Sequence, residues 1–183
     1  MKFVPTRLPG AFVIEPEPLI DDRGAFARTW CAREFEEHGL STRIVQTSTS
    51  YNPRRGTLRG MHFQAAPFGE VKLVRCTRGA ILDVIIDLRP ASHTFSQHFA
   101  ATLTQDNRHT MYVPEGFAHG FLTLEDDSEI SYQMSAYYVP DASRGVRWND
   151  PAFGIDWPIT APLLNHRDAS YPDFRTALAG VAP

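Results

Sequence analysis

Residues 71–88 read Val71-Lys72-Leu73-Val74-Arg75-Cys76-Thr77-Arg78-Gly79-Ala80-Ile81-Leu82-Asp83-Val84-Ile85-Ile86-Asp87-Leu88. Two runs rich in β-branched and apolar residues, 71–77 and 80–88, flank Arg78-Gly79, a dipeptide that predicts a hairpin turn. Working outward, similar short runs fall at 12–14, 25–30, 44–52, 57–64, 98–104, 109–113, 120–124 and 129–138. Fourteen prolines and twelve glycines punctuate them. Helical signals are few: residues 31–39, ended by Gly39, and a last helix after Pro172. Many short antiparallel strands with little helix predict an all-β sandwich or barrel. The 183 residues contain no repeat or composition break, so a single domain over 1–183 is expected.

In a small barrel alternate side chains point inward, so a titratable inward residue lines a pocket. Arg59, His62, Lys72, Asp83 and Tyr132 all lie in strand-like runs among apolar neighbours. The stretch Pro114-Glu115-Gly116-Phe117-Ala118-His119 has the Pro-x-Gly-x-x-His spacing of the second cupin motif. There a turn at Gly116 aims His119 into a jelly-roll β-barrel. A metal cupin supplies two histidines and a carboxylate earlier in the chain. Here that stretch reads Gly60-Met61-His62-Phe63-Gln64, with Lys72 at the carboxylate's place. Glutamine and a cation do not make a transition-metal site, so no metal is expected.

What remains is an inventory for acid–base chemistry. His62 can remove a proton near neutral pH, and either Asp83 or Asp168 can orient it. Lys72 or His119 can stabilise an oxyanion, and Tyr132 can return a proton from another direction. This set suits epimerisation or tautomerisation beside a carbonyl. Arg23 and Arg59 suit a phosphate or diphosphate anchor. Strict alternation, however, puts Arg59 and His62 on opposite faces, so a bulge at Gly60 is required to bring both inward.

Composition limits the partners. Hydrophobic residues make up 43% and charged residues 21%, as in ordinary globular proteins. A net charge of −3 gives no basic field for nucleic acid or an anionic membrane. No signal-type apolar segment or membrane span is apparent, and two cysteines, Cys31 and Cys76, fit a reduced cytoplasm.

At these residues the sequence resembles the dTDP-4-dehydrorhamnose 3,5-epimerase family. The matching runs include 58–64, Lys72-Leu73-Val74, Gly79-x-x-x-Asp83-Val84, Asp87-Leu88-Arg89, 114–121, Trp148-Asn149-Asp150-Pro151 and Gly154-Ile155-Asp156-Trp157-Pro158. The resemblance implies that His62, with Asp168, removes the C3 and C5 protons beside a C4 keto group. By the same resemblance Tyr132 reprotonates and Lys72 stabilises the enolate. Arg59 and His119 would line the sugar-diphosphate site, and Arg23 and Phe26 would serve a neighbour's pocket in a homodimer with exchanged N-terminal strands. No organic cofactor is implied. Gln46 and Ser48 (in Gln46-Thr47-Ser48, where the family has Gln-Asp-Asn), Tyr138, and the departures Arg28, Ser143 and Arg167 complete the expected binding residues. Arg28 stands where the family has glutamate, which exchanges an acceptor for a donor and is expected to alter nucleotide-base preference. The rival readings are a nucleotide-sugar 3,4-ketoisomerase and a non-catalytic nucleotide-sugar-binding cupin.

Overall fold

A computed structural model describes residues 1–174. Its strands are β1 (Lys2–Pro5), β2 (Phe12–Glu15), β3 (Leu19–Asp21), β4 (Gly24–Phe26), β5 (Gln46–Asn52), β6 (Leu58–Gln64) and β7 (Lys72–Arg78). They continue with β8 (Ala80–Asp87), β9 (His98–Thr104), β10 (Thr110–Val113), β11 (Phe117–Thr123), β12 (Ser128–Met134) and β13 (Ser143–Gly145). Helices α1 (Ala32–Glu37) and α2 (His166–Ala169) are short. The helix expected after Pro172 falls mostly outside the described residues.

One sheet has the order β1-β2-β10-β7-β12-β5 and faces a second of order β13-β6-β11-β8-β9. Their inner faces share a core built from Val74, Cys76, Met111, Val113 and Ile130 on one side and Ile81, Ile85, Leu103, Phe117 and Phe121 on the other. This is a cupin-type jelly roll, as the strand-rich sequence predicted. The outer face of the second sheet is covered as well. Leu58, Met61, Val84, Ile86, Ala118 and Leu122 pack under Val146, Phe153, Trp157 and Phe174. Burial on both faces explains why 80–88 is nearly continuously apolar rather than alternating. Ile14, Leu73 and Tyr112, on the first sheet, pack against Phe35 of α1.

The expected hairpin at Arg78-Gly79 does not form. Strand β7 pairs with β10 and β12, whereas β8 pairs with β9 and β11 in the opposite sheet. Gly79 instead makes a corner between sheets. Its φ of +72° suits glycine, and a Cβ there would stand 2.6 Å from Ser128 Oγ. A turn residue reports a change of direction, while the partner of each strand is chosen by side-chain burial across the whole barrel. The expected strand at 25–30 shrinks to β4, which pairs with β3 in a separate exposed hairpin.

Candidate active site

The bulge required between Arg59 and His62 is present. His119 pairs with His62 and Phe121 with Arg59, so two steps along β11 match three along β6. Gly60 has φ +149°, and a Cβ on it would lie 2.6 Å from Gly120 Cα. Only a glycine pair permits this approach of β6 and β11. The consequence is that Arg59 and His62 both face a cavity of about 330 Å³, while Leu58 and Met61 remain in the apolar layer behind.

The bulge also frees a donor. Asn165 caps α2 by accepting the Asp168 N–H at 2.7 Å, and this short turn brings Asp168 back against β6. Asp168 Oδ2 then accepts the Gly60 N–H at 3.1 Å, and its Oδ1 lies 2.7 Å from His62 Nε2. The carboxylate is 1% exposed and the imidazole 38% exposed. Since a carboxylate accepts, Nε2 carries the hydrogen and Nδ1 keeps its lone pair. Of the two aspartates left open by sequence, Asp168 is therefore the one bonded to His62.

Asp83 holds the other histidine. Its place on β8 shares the inward face with Ile81 and Ile85, and Oδ1 meets His119 Nε2 at 2.7 Å with both side chains buried. Asp83 Oδ2 has no hydrogen-bond partner among the described residues. Tyr132 on β12 packs edge-on to His119, with ring centroids 6.0 Å apart. Burial first, and then the nearby Asp83 charge, push the Tyr132 phenol well above its ordinary range, against a smaller opposing pull from Arg59. The hydroxyl thus stays protonated at neutral pH and is suited to donate.

Gln46, Arg59, His62, Lys72, His119, Tyr132 and Tyr138 line one cavity. A neighbouring hollow of about 210 Å³ adds Ser143 and Arg167, which bond to each other at 2.7 Å, and is again lined by His62, Lys72 and Tyr138. Hydrogen bonds from Ser143 and Arg167 lower the Tyr138 phenol from its usual value. Arg59 Nε donates to buried Asn52 Oδ1 at 2.8 Å, which sets its direction.

Four expected residues lie elsewhere. Ser48, opposite Tyr132 in register, is exposed on the edge strand and does not line the cavity. Arg23 and Phe26 belong to the β3–β4 hairpin, where Arg23 bonds Asp21 at 2.5 Å. Arg28 forms an ion pair with Glu34 at 3.0 Å and is not a lining residue. Sequence reasoning missed Ser50, Glu70 and Met134 in the cavity wall. Ser50 could have been found, since it shares the strand face of Gln46 and Ser48; Glu70 lies in a loop where no alternation exists to follow. The position of the missing second cupin histidine, Gln64, is structural: its amide donates to Phe68 O and Tyr137 O and accepts from Val139 N–H. Among the described residues no three His, Cys, Asp or Glu side chains assemble as a metal-ligand set.

The sequence model of the dTDP-4-dehydrorhamnose 3,5-epimerase family matches residues 5–176. A dTDP-4-dehydrorhamnose 3,5-epimerase from Methanothermobacter thermautotrophicus is 45% identical over 178 residues, covering 95% of each chain. The crystal structure of the Bacillus anthracis dTDP-4-dehydrorhamnose 3,5-epimerase, with TDP and PPi bound, superposes with a TM-score of 0.92 at 40% identity over 94% of this chain and 99% of that one. A 3'-monoepimerase from Streptomyces bikiniensis, in complex with dTDP-quinovose, gives a TM-score of 0.90 at 33% identity over 98% and 92%. With the fold, the whole-length match and these relatives in agreement, the chain belongs to the dTDP-4-dehydrorhamnose 3,5-epimerase family.

Proposed function

We propose that this single-domain protein epimerises a dTDP-linked 4-keto-6-deoxyhexose at C3 and C5 by proton transfer between its own side chains and the sugar. The observation that carries this reading is the His62–Asp168 pair at 2.7 Å opening on the same cavity as the half-buried Tyr132. A C–H beside a keto group is acidified because the negative charge left behind spreads onto the carbonyl oxygen. His62 Nδ1 takes the proton, and the buried Asp168 carboxylate stabilises the resulting imidazolium. Lys72, with His119, faces the developing oxyanion, and Tyr132 returns a proton to the opposite side of the ring. Arg59 and Arg167 hold the diphosphate, with Gln46, Tyr138 and Ser143 beside them. Binding alone has no use for a base and a separate acid, which favours an enzyme over a binding module.

Arg23, Phe26 and Arg28 fit this scheme if they act in a second copy's site. The β3–β4 hairpin leaves Leu19, Ile20 and Phe26 more than 70% exposed, which supports a homodimer with exchanged N-terminal strands. Any influence of Arg28 on base preference would then be exerted across that interface. No helix among the described residues is long and apolar enough to cross a membrane.

Incubation with dTDP-4-keto-6-deoxyglucose in deuterated water tests the function. Deuterium entering C3 and C5 is the expected result, label at C3 alone would restrict the activity to single epimerisation, and no exchange would refute it.

A further inference from the structure

Glu70 stands just before β7, and its Oε1 lies 3.1 Å from Lys72 Nζ, each side chain being 12% exposed. The Lys72 ammonium also reaches His62 O at 3.5 Å. The ammonium is thus ion-paired to Glu70 and bonded to the His62 carbonyl while it faces the cavity. The arginines are held differently. Arg59 bonds the Asn52 amide oxygen and Arg167 the Ser143 hydroxyl, both neutral, and neither forms an ion pair among the described residues. Glu70, Lys72, His62 and Tyr138 line both hollows, whereas Arg59 lines one and Arg167 the other. A charge-neutralised pair therefore sits between two guanidiniums of undiminished charge.

We infer that Glu70 is a specificity-determining positioning residue that sorts charge along the site. It neutralises Lys72, so that the diphosphate of a nucleotide sugar settles on the arginines, and it holds the ammonium toward the keto oxygen of the uncharged sugar. A diphosphate is attracted most strongly to cations without an anionic partner and fits guanidinium forks in a bidentate way. Were Lys72 unpaired, it would be a third anion site beside His62, and a diphosphate bound there would displace the sugar from the base. The enolate charge, by contrast, develops only during reaction. An ammonium facing the keto oxygen gains on it only as that charge grows, which favours the transition state. This inference deepens the functional reading and rests on it for the identity of the ligand.

Calorimetric titration with inorganic pyrophosphate at low salt tests the charge sorting without requiring turnover. Glu70→Gln should bind pyrophosphate at least about tenfold more tightly than the wild type. The gain should vanish in the Glu70→Gln/Lys72→Ala double variant, and Glu70→Asp should retain wild-type affinity. In turnover Glu70→Gln should lose kcat while its substrate KM does not rise. Pyrophosphate affinity within about twofold of wild type in Glu70→Gln, or a gain that persists without Lys72, would overturn the inference. Wild-type protein offers a readout independent of any variant, because Lys2 and Lys72 are the lysines of the chain. With 15N-lysine labelling, saturating pyrophosphate should leave the Lys72 ammonium signal in place; a shift showing that pyrophosphate has taken Glu70's position would refute it. Absence of exchange with every nucleotide 4-keto sugar would remove the enzymatic reading and leave the pyrophosphate result to be judged separately.

Discussion

Replacing Asp168 by asparagine changes few atoms but should disable the base. The carboxylate accepts two hydrogens, from His62 Nε2 at 2.7 Å and from the Gly60 N–H at 3.1 Å, in a place that is 1% exposed. An asparagine has only one oxygen. The Gly60 N–H is fixed in the backbone and demands that oxygen, which turns the amide NH2 toward His62. Nε2 must then accept, the hydrogen moves to Nδ1, and the lone pair that would attack the C–H is gone. An imidazole in the wrong tautomer, without its carboxylate, costs about 10³–10⁴ in rate where such a pair drives proton transfer. At 1.36 kcal/mol per factor of ten, this is about 4–5.5 kcal/mol of barrier. The assay is deuterium incorporation at C3 and C5 from deuterated water, with dTDP affinity and thermal unfolding as checks on the fold. Exchange in Asp168→Asn within about tenfold of wild type would show that His62 does not depend on this carboxylate.

Three further outcomes follow from the same geometry. Tyr132→Phe should abolish net inversion while exchange at C3 persists, since removal of a proton does not need the phenol; equal loss of C3 exchange in His62→Ala and Tyr132→Phe would deny them separate roles. Gly60→Ala, whose Cβ meets Gly120 Cα at 2.6 Å, should destabilise the fold by roughly 2–4 kcal/mol in urea unfolding, and a wild-type midpoint would contradict the close approach of β6 and β11. Asp87 is opposed by burial, yet hydrogen bonds from Arg89, Ser92 and Thr94 outweigh it and hold the carboxyl well below its ordinary value. A carboxyl lowered in the folded state adds stability at pH above the unfolded value of about 4 and loses it as pH falls toward the folded one. Asp87→Asn should therefore cost roughly 2–4 kcal/mol at pH 7, discounted for the part-exposed Arg89, and the gap from wild type should narrow at pH 3; a gap independent of pH would refute this origin.

How much was legible beforehand differs between residues for physical reasons. Lys72, Asp83, His119 and Tyr132 could be placed inside the barrel because strand alternation assigns each a face once one neighbour's face is known. Arg59 and His62 could not both be placed by alternation, and Gly60 supplied the hint of a bulge that the structure contains. Asp168 could be named as one of two partners for His62. Choosing between it and Asp83 required the return of α2 onto β6, a contact between residues more than a hundred positions apart. Glu70 was invisible, because a loop residue has no periodicity to report its direction.

The residues 71–88 show the division most clearly. Their own chemistry determined two strands, a sharp change of direction at Gly79 and an inward lysine and aspartate, since local sterics and alternation act within a few residues. Which sheet each strand joins was decided only by the tertiary structure, because burial of both faces of β8 is settled by the rest of the chain. That choice sent β7 and β8 to opposite walls, so that Lys72 from one wall and His119, held by Asp83 on the other, line one cavity.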